Sequence, residues 1–130
     1  MKILIVDDDE AIASIWETAF KKEGAETLVA STAKAGIEEA KKQKFDFILL
    51  DEIMPDMKGN DLLKVLKSDP QLKNVPVALV SNYSDNKLMQ EAIQQGATDY
   101  ILKYQIEPMD LVNKVKSLLQ ETQNSGNTNQ

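Results

Sequence analysis

Asp51 follows the apolar run Phe47-Ile48-Leu49-Leu50 and precedes the loop Glu52-Ile53-Met54-Pro55-Asp56-Met57-Lys58-Gly59. Three other apolar runs end in polar groups: Ile3-Leu4-Ile5-Val6 in Asp7-Asp8-Asp9, Val77-Ala78-Leu79-Val80 in Ser81, and Tyr100-Ile101-Leu102 in Lys103. If these runs are parallel strands, carboxylates, a hydroxyl and an amine gather at one sheet edge, where open α/β sheets bind ligands. Carboxylates that converge in a partly buried site repel one another strongly. They must share protons or share a cation. An all-oxygen donor set completed by water suits Mg2+ or Mn2+. Asp8 and Asp51 are expected as direct ligands, Asp7 as a ligand through water, and a backbone carbonyl just after Asp51, that of Ile53, as a further donor. An aspartate beside such a cation, a lysine and a hydroxyl is equipped for covalent phosphoryl transfer. The carboxylate attacks phosphorus and becomes an acyl phosphate. The metal and Lys103 neutralise charge on the transferred oxygens, and Ser81 hydrogen-bonds the product.

Simpler roles compete for some of these residues. Asp9 lies nearest the following helix and is better explained as its N-cap. Capping does not explain why a third carboxylate arrives from another strand, so Asp7, Asp8 and Asp51 together favour a site. Lys103 in a purely structural ion pair is the plainer alternative to a phosphoryl clamp. Ser81 taken alone would be a turn or cap residue, and Tyr100 an ordinary half-buried strand aromatic.

Composition removes other chemistries. The chain has no histidine and no cysteine. Ser-His catalysis, His-metal sites, thiolate metal sites and disulfides are therefore excluded. The formal net charge is -6 and the basic residues are all lysine. Phosphate-backbone binding wants a cationic face, and bidentate reading of guanine wants arginine, so no direct nucleic-acid partner is expected. The segment before Asp7 is too short for a signal peptide or a membrane span, which makes a cytoplasmic protein without membrane contact the expectation.

The elements that must position these groups alternate strand and helix five times. Strands are expected over 2–6, 26–31, 46–50, 76–81 and 99–102. Helix 10–23 buries Ile12, Trp16, Ala19 and Phe20 and ends at Gly24; helix 33–43 buries Ala33, Ile37 and Ala40. After the Pro55–Gly59 turn, Leu62, Leu63 and Leu66 mark a third helix that stops at Asp69-Pro70. The fourth, about 85–95, turns Leu88, Met89, Ala92 and Ile93 inward and stops at Gly96. Pro108 opens the last, whose inner stripe is Leu111, Val115, Leu118 and Leu119. Short strands separated by helices imply right-handed crossovers and a parallel sheet, a (βα)5 doubly wound sandwich. The most apolar strands, the first, third and fourth, should be central. One domain over 1–121 is expected, followed by a disordered polar tail over 122–130.

In this order and at these strand ends, the residues resemble the receiver domain of two-component response regulators, over roughly residues 2–120. Asp7 and Asp8 match the family's acidic pair and Asp51 its phosphoacceptor. Met54-Pro55 and Gly59 match the loop that follows. Ser81 matches the switch Ser/Thr, Tyr100 the switch aromatic and Lys103 the invariant lysine. The resemblance implies a flavodoxin-like fold with sheet order 2-1-3-4-5, as in chemotaxis regulators. It implies Mg2+-dependent transfer of a phosphoryl group to Asp51 from phosphohistidine on a sensor histidine kinase or phosphotransfer protein. Ser81 would then move toward the phosphoryl oxygens and Tyr100 turn inward, reshaping a face made by helix 4, strand 5 and helix 5 for a downstream protein target. Such a protein is a switch rather than an enzyme, with at most self-catalysed phosphorylation and dephosphorylation.

Three positions depart from the family pattern. Tyr104 follows Lys103 where proline with a cis peptide is usual; a cis bond before a non-proline residue costs about 3 kcal/mol, so a trans bond is expected. Glu52 is acidic where the family is more often apolar, and Asn82 is larger than the common residue after the switch hydroxyl. With Ile53 and Tyr83 at positions that tune phosphoryl lifetime, these neighbours predict a slowly decaying phospho-Asp51. A pseudo-receiver acting as a phosphorylation-independent interaction module is the main alternative function. An aspartate-nucleophile phosphatase or mutase fits less well, because Ile53 stands where the second acid belongs. A flavin protein fits poorly too, since no phosphate-cradling loop follows the first strand.

Overall fold

A computed structural model of the chain describes residues 1–82 and 84–128, with side chains through Glu121. Tyr83 therefore lies outside the described residues, as do the side chains of the expected tail. The strands are β1 (Lys2–Val6), β2 (Glu26–Ala30), β3 (Phe47–Asp51), β4 (Val77–Ser81) and β5 (Asp99–Leu102). The helices are α1 (Glu10–Lys22), α2 (Ala33–Lys42), α3 (Gly59–Ser68), α4 (Asn86–Gln94) and α5 (Pro108–Thr128). Helical backbone in α5 thus enters the segment expected to be a polar tail.

All neighbouring strands pair in parallel, in the order β2-β1-β3-β4-β5. The three most apolar strands are the interior ones, as their composition requires. β3 and β4 are buried at every position, whereas edge strand β2 stays partly exposed until Ala30. Strand alternation sends Ile3, Ile5, Phe47, Leu49, Ala78 and Val80 to one face, where Trp16 and Phe20 of α1 and Leu111 and Val115 of α5 cover them. Leu4, Val6, Ile48, Leu50, Leu79 and Tyr100 point the other way, onto α2, α3 and α4.

Local chemistry sets the helix ends. Asp9 accepts a hydrogen bond from the Ile12 amide at 3.2 Å, the capping role expected for it. Thr32 caps α2 through the Ala35 amide, and Asp85 caps α4 through the Lys87 and Leu88 amides. Gly24 and Gly96, with φ of 81° and 101°, follow α1 and α4 in a conformation that costs glycine little.

Two expectations change. Asp51 is the last residue of β3 rather than the first after it, so the sheet ladder holds its backbone. Ile93 does not face the core: it is 49% exposed, and α4 fully buries only Ala92. Leu88 and Met89 pack partly against the core. The helix is rotated so that Ala92 meets the sheet, which carries Ile93 past the contact.

Candidate functional site

The register explains how distant residues converge. Asp51 lies opposite Val80, and Ser81 opposite Leu102, so β3, β4 and β5 end in step. The Asp7 amide donates to Ala30 O at 3.0 Å, the Glu52 amide to Val80 O at 3.0 Å and the Lys103 amide to Ser81 O at 2.7 Å. Each strand thus hands the next residue into the same edge with its backbone already paired.

There one carboxylate oxygen each from Asp7, Asp8 and Asp51 lies within 4.8 Å of the others. Asp7 is fully buried and Asp51 nearly so, while Asp8 stands at the surface. Buried Lys103 reaches in from the end of β5. Its Nζ is 2.9 Å from Asp7 Oδ2, 3.2 Å from Asp7 Oδ1 and 3.4 Å from Asp51 Oδ1. The shorter contact to Asp7 is a charge contact: Oδ2 is buried without a well-aligned hydrogen bond, and the bond goes to Oδ1. The Asp9 amide also donates to Asp7 Oδ1, at 2.8 Å.

One ammonium cannot neutralise three converging carboxylates. Burial, then the charge of Asp7, raises the Asp51 pKa from 3.8 to about 7, against the pull of Lys103 and with a hydrogen bond to Asp8 adding to the rise. Burial alone would depress the Lys103 ammonium, but its hydrogen bond and charge contact with Asp7, then with Asp51, outweigh that and raise it. Three converging carboxylates against one ammonium, all oxygen donors, fit a hard divalent cation such as Mg2+ or Mn2+. A cleft of about 270 Å3 opens onto Asp8, Asp51 and Lys103, with Ile53, Ser81, Asn82 and Tyr104 also on its walls. Ile53, whose side chain is 57% exposed, forms an isolated antiparallel bridge with Lys58 that ties the β3–α3 loop down.

Ser81 is buried at the end of β4. Tyr100 is also buried, and its hydroxyl has Ser81 and Glu52 as partners, the Tyr100 Oη to Glu52 Oε2 distance being 2.8 Å. Burial first, moderated by Ser81 and reinforced by the hydrogen bond and charge of Glu52, pushes the Tyr100 phenol up to about 12. Tyr104 is 68% exposed, and the peptide joining it to Lys103 is trans, as its residue type predicts.

Two residues have roles that the sequence pattern did not reveal. Glu52, noted only as an unusual neighbour of Asp51, is the buried acceptor for Tyr100. The signal was available: one residue past Asp51, strand alternation turns the side chain to the Tyr100 face. Asp56 in the same loop accepts from the Ala33 and Lys34 amides, both at 3.0 Å, and so caps α2 from a distance. Those bonds hold its carboxyl below the usual range. No local motif marks a cap supplied across 22 residues of chain.

Residues 3–116 match the model of the response regulator receiver domain. The chain belongs to that family. This receiver is 36% identical over 104 residues to chemotaxis protein CheY-3 of Vibrio cholerae, covering 79% of this chain and 80% of that protein. It superposes with a TM-score of 0.88 on a CheY-like receiver domain protein from Methanospirillum hungatei, at 31% identity over 95% of this chain and 97% of that one. It is also 29% identical over 122 residues to the DNA-binding response regulator MtrA of Mycolicibacterium smegmatis, matching 94% of this chain and 52% of that protein. The receiver therefore spans about half the length of the MtrA proteins it matches. Among the described residues no helix is long and apolar enough to cross a membrane.

Proposed function

We propose that this receiver is the phosphoacceptor of a two-component relay, with Asp51 as the residue that takes the phosphoryl group from phosphohistidine. One observation carries the reading: Asp51 closes β3 with Lys103 Nζ at 3.4 Å and the Asp7 and Asp8 carboxylates beside it, at the mouth of an open cleft. In the reaction an Asp51 carboxylate oxygen forms a bond to phosphorus as the phosphorus–nitrogen bond of the donor breaks, and the departing imidazole takes up a proton. Lys103, held by Asp7, keeps a fixed positive charge where the transferred oxygens arrive, so little reorganisation accompanies the reaction. Ser81, at the end of the adjacent strand, supplies a hydroxyl for the acyl phosphate. Asp7, Asp8, Asp51 and the Ile53 carbonyl would hold Mg2+, or Mn2+ in its place, and the bound ion would supply charge neutralisation. A sensor histidine kinase or phosphotransfer protein is the donor that this chemistry asks for. The α4–β5–α5 face, with its loosely seated α4, is the surface offered to a downstream protein.

The domain unit is residues 1–121, acting in the cytoplasm without direct nucleic-acid or membrane contact. Radiolabelled acetyl phosphate with Mg2+ tests the assignment. The unsubstituted chain should take up label, and Asp51→Ala should lose it entirely. Full labelling of Asp51→Ala would remove Asp51 as the acceptor, and no labelling of either protein would leave a phosphorylation-independent interaction module.

A further inference from the structure

Glu52 is a carboxylate that the phosphoryl chemistry does not use, and it is only 7% exposed. A buried carboxylate needs partners, since desolvation is costly unless hydrogen bonds replace the lost water. Its Oε2 accepts from the Tyr100 hydroxyl at 2.8 Å. Tyr100 in turn lies within the core cluster between the sheet and α3 and α4, its hydroxyl also bonded to Ser81. The inward ring is therefore already in place with no phosphoryl group on Asp51.

We propose that Glu52 is a positioning residue for the switch, a latch that holds Tyr100 inward in the resting protein. Turning the ring out would strand the Glu52 carboxylate and the Ser81 hydroxyl together, and a stranded buried acceptor is penalised more than an ordinary hydrogen bond is rewarded. An apolar residue at this position offers no acceptor and imposes no such penalty. Loss of one charge-assisted bond corresponds to about a ten- to hundredfold change in the inward-to-outward ratio. The backbone on either side is clamped as well. The Glu52 amide donates to Val80 O and the Glu52 carbonyl accepts from the Gly59 amide at 2.6 Å, so the latch rests on the ladder that also carries Asp51. The face made by α4, β5 and α5 is then presented with Tyr100 inward in the resting protein.

The inference concerns the resting state and stands independently of whether Asp51 accepts a phosphoryl group. Its test uses the full chain labelled with 3-fluorotyrosine, the Tyr100 resonance assigned with Tyr100→Phe, and no phosphodonor or metal. The readout is the change in 19F shift between H2O and D2O, which is small for a shielded ring and large for an exposed one. Tyr100 should be shielded in the unsubstituted protein and in Glu52→Gln, which keeps a carbonyl acceptor. It should move toward the value of free fluorotyrosine in Glu52→Leu. Equal shielding in Glu52→Leu overturns the latch. An exposed Tyr100 in the unsubstituted protein overturns it too, and that measurement needs no variant to fold.

Discussion

At the scale of single residues, the site is defined by a charge imbalance. Lys103 is shared between Asp7 and Asp51, and its closer contacts are with Asp7. Burial, then the charge of Asp7, lifts the Asp51 pKa to about 7 from the 3.8 of an unburied aspartate, against the pull of Lys103. Between those values the folded chain binds a proton that the unfolded chain has released, so stability falls as pH rises through that window. The contribution is complete below roughly pH 4 and lost above roughly pH 7. Asp51→Asn keeps the shape and removes the charge. In metal-free buffer at pH 8 it should stabilise the fold by about 1–3 kcal/mol, and at pH 4 the two proteins should unfold at nearly the same denaturant concentration. Equal stability at pH 8 would show that the carboxylate is not strained by its surroundings.

At the scale of elements, the loop from β3 to α3 works as a brace. A Cβ at Gly59 would sit 2.6 Å from Asp51 O and 2.8 Å from Glu52 Cα, and those are backbone atoms that cannot swing aside. Gly59→Ala should therefore cost about 1–3 kcal/mol in chemical unfolding and slow labelling of Asp51, because relief comes only by moving β3 or the start of α3. Normal stability with normal labelling would mean that the loop yields more easily than its contacts imply. The element pattern was largely legible in the sequence. Apolar runs of three or four residues, helical stripes and terminal glycines each signal one element, and a strand's end places its polar residue at the shared edge. What escaped were contacts set by three-dimensional orientation. The seating of Ile93 depends on how α4 rolls against the sheet. The Asp56 cap depends on how a loop folds over another helix, and the Glu52–Tyr100 bond joins residues 48 apart. Periodicity reports the inward face of one element at a time; it does not report which elements meet.

At the scale of the whole molecule, the two core layers carry the fold and leave one sheet edge free to be unfavourable. The destabilising carboxylates sit outside both apolar clusters, backed by β1 and β3, which are buried apart from Lys2. Such a molecule gives up stability at its site and would regain it on binding the proposed cation, because a ligand that prefers the folded state stabilises by mass action. Mg2+ at a hundredfold excess over its dissociation constant should add about 2.7 kcal/mol, several degrees of melting temperature for a domain of this size. Protons compete for the same oxygens. With Asp51 near 7, the Mg2+-induced rise in melting temperature should be small at pH 6 and grow toward pH 8. The difference amounts to at most about 1.4 kcal/mol for each pH unit below the Asp51 value. Asp8→Ala removes the exposed ligand without opening a core cavity, so it should fold normally and show little of this rise at either pH. Melting curves with and without Mg2+ decide the matter. An increment that is the same at pH 6 and pH 8, or that survives Asp8→Ala undiminished, would place the cation somewhere other than among Asp7, Asp8 and Asp51.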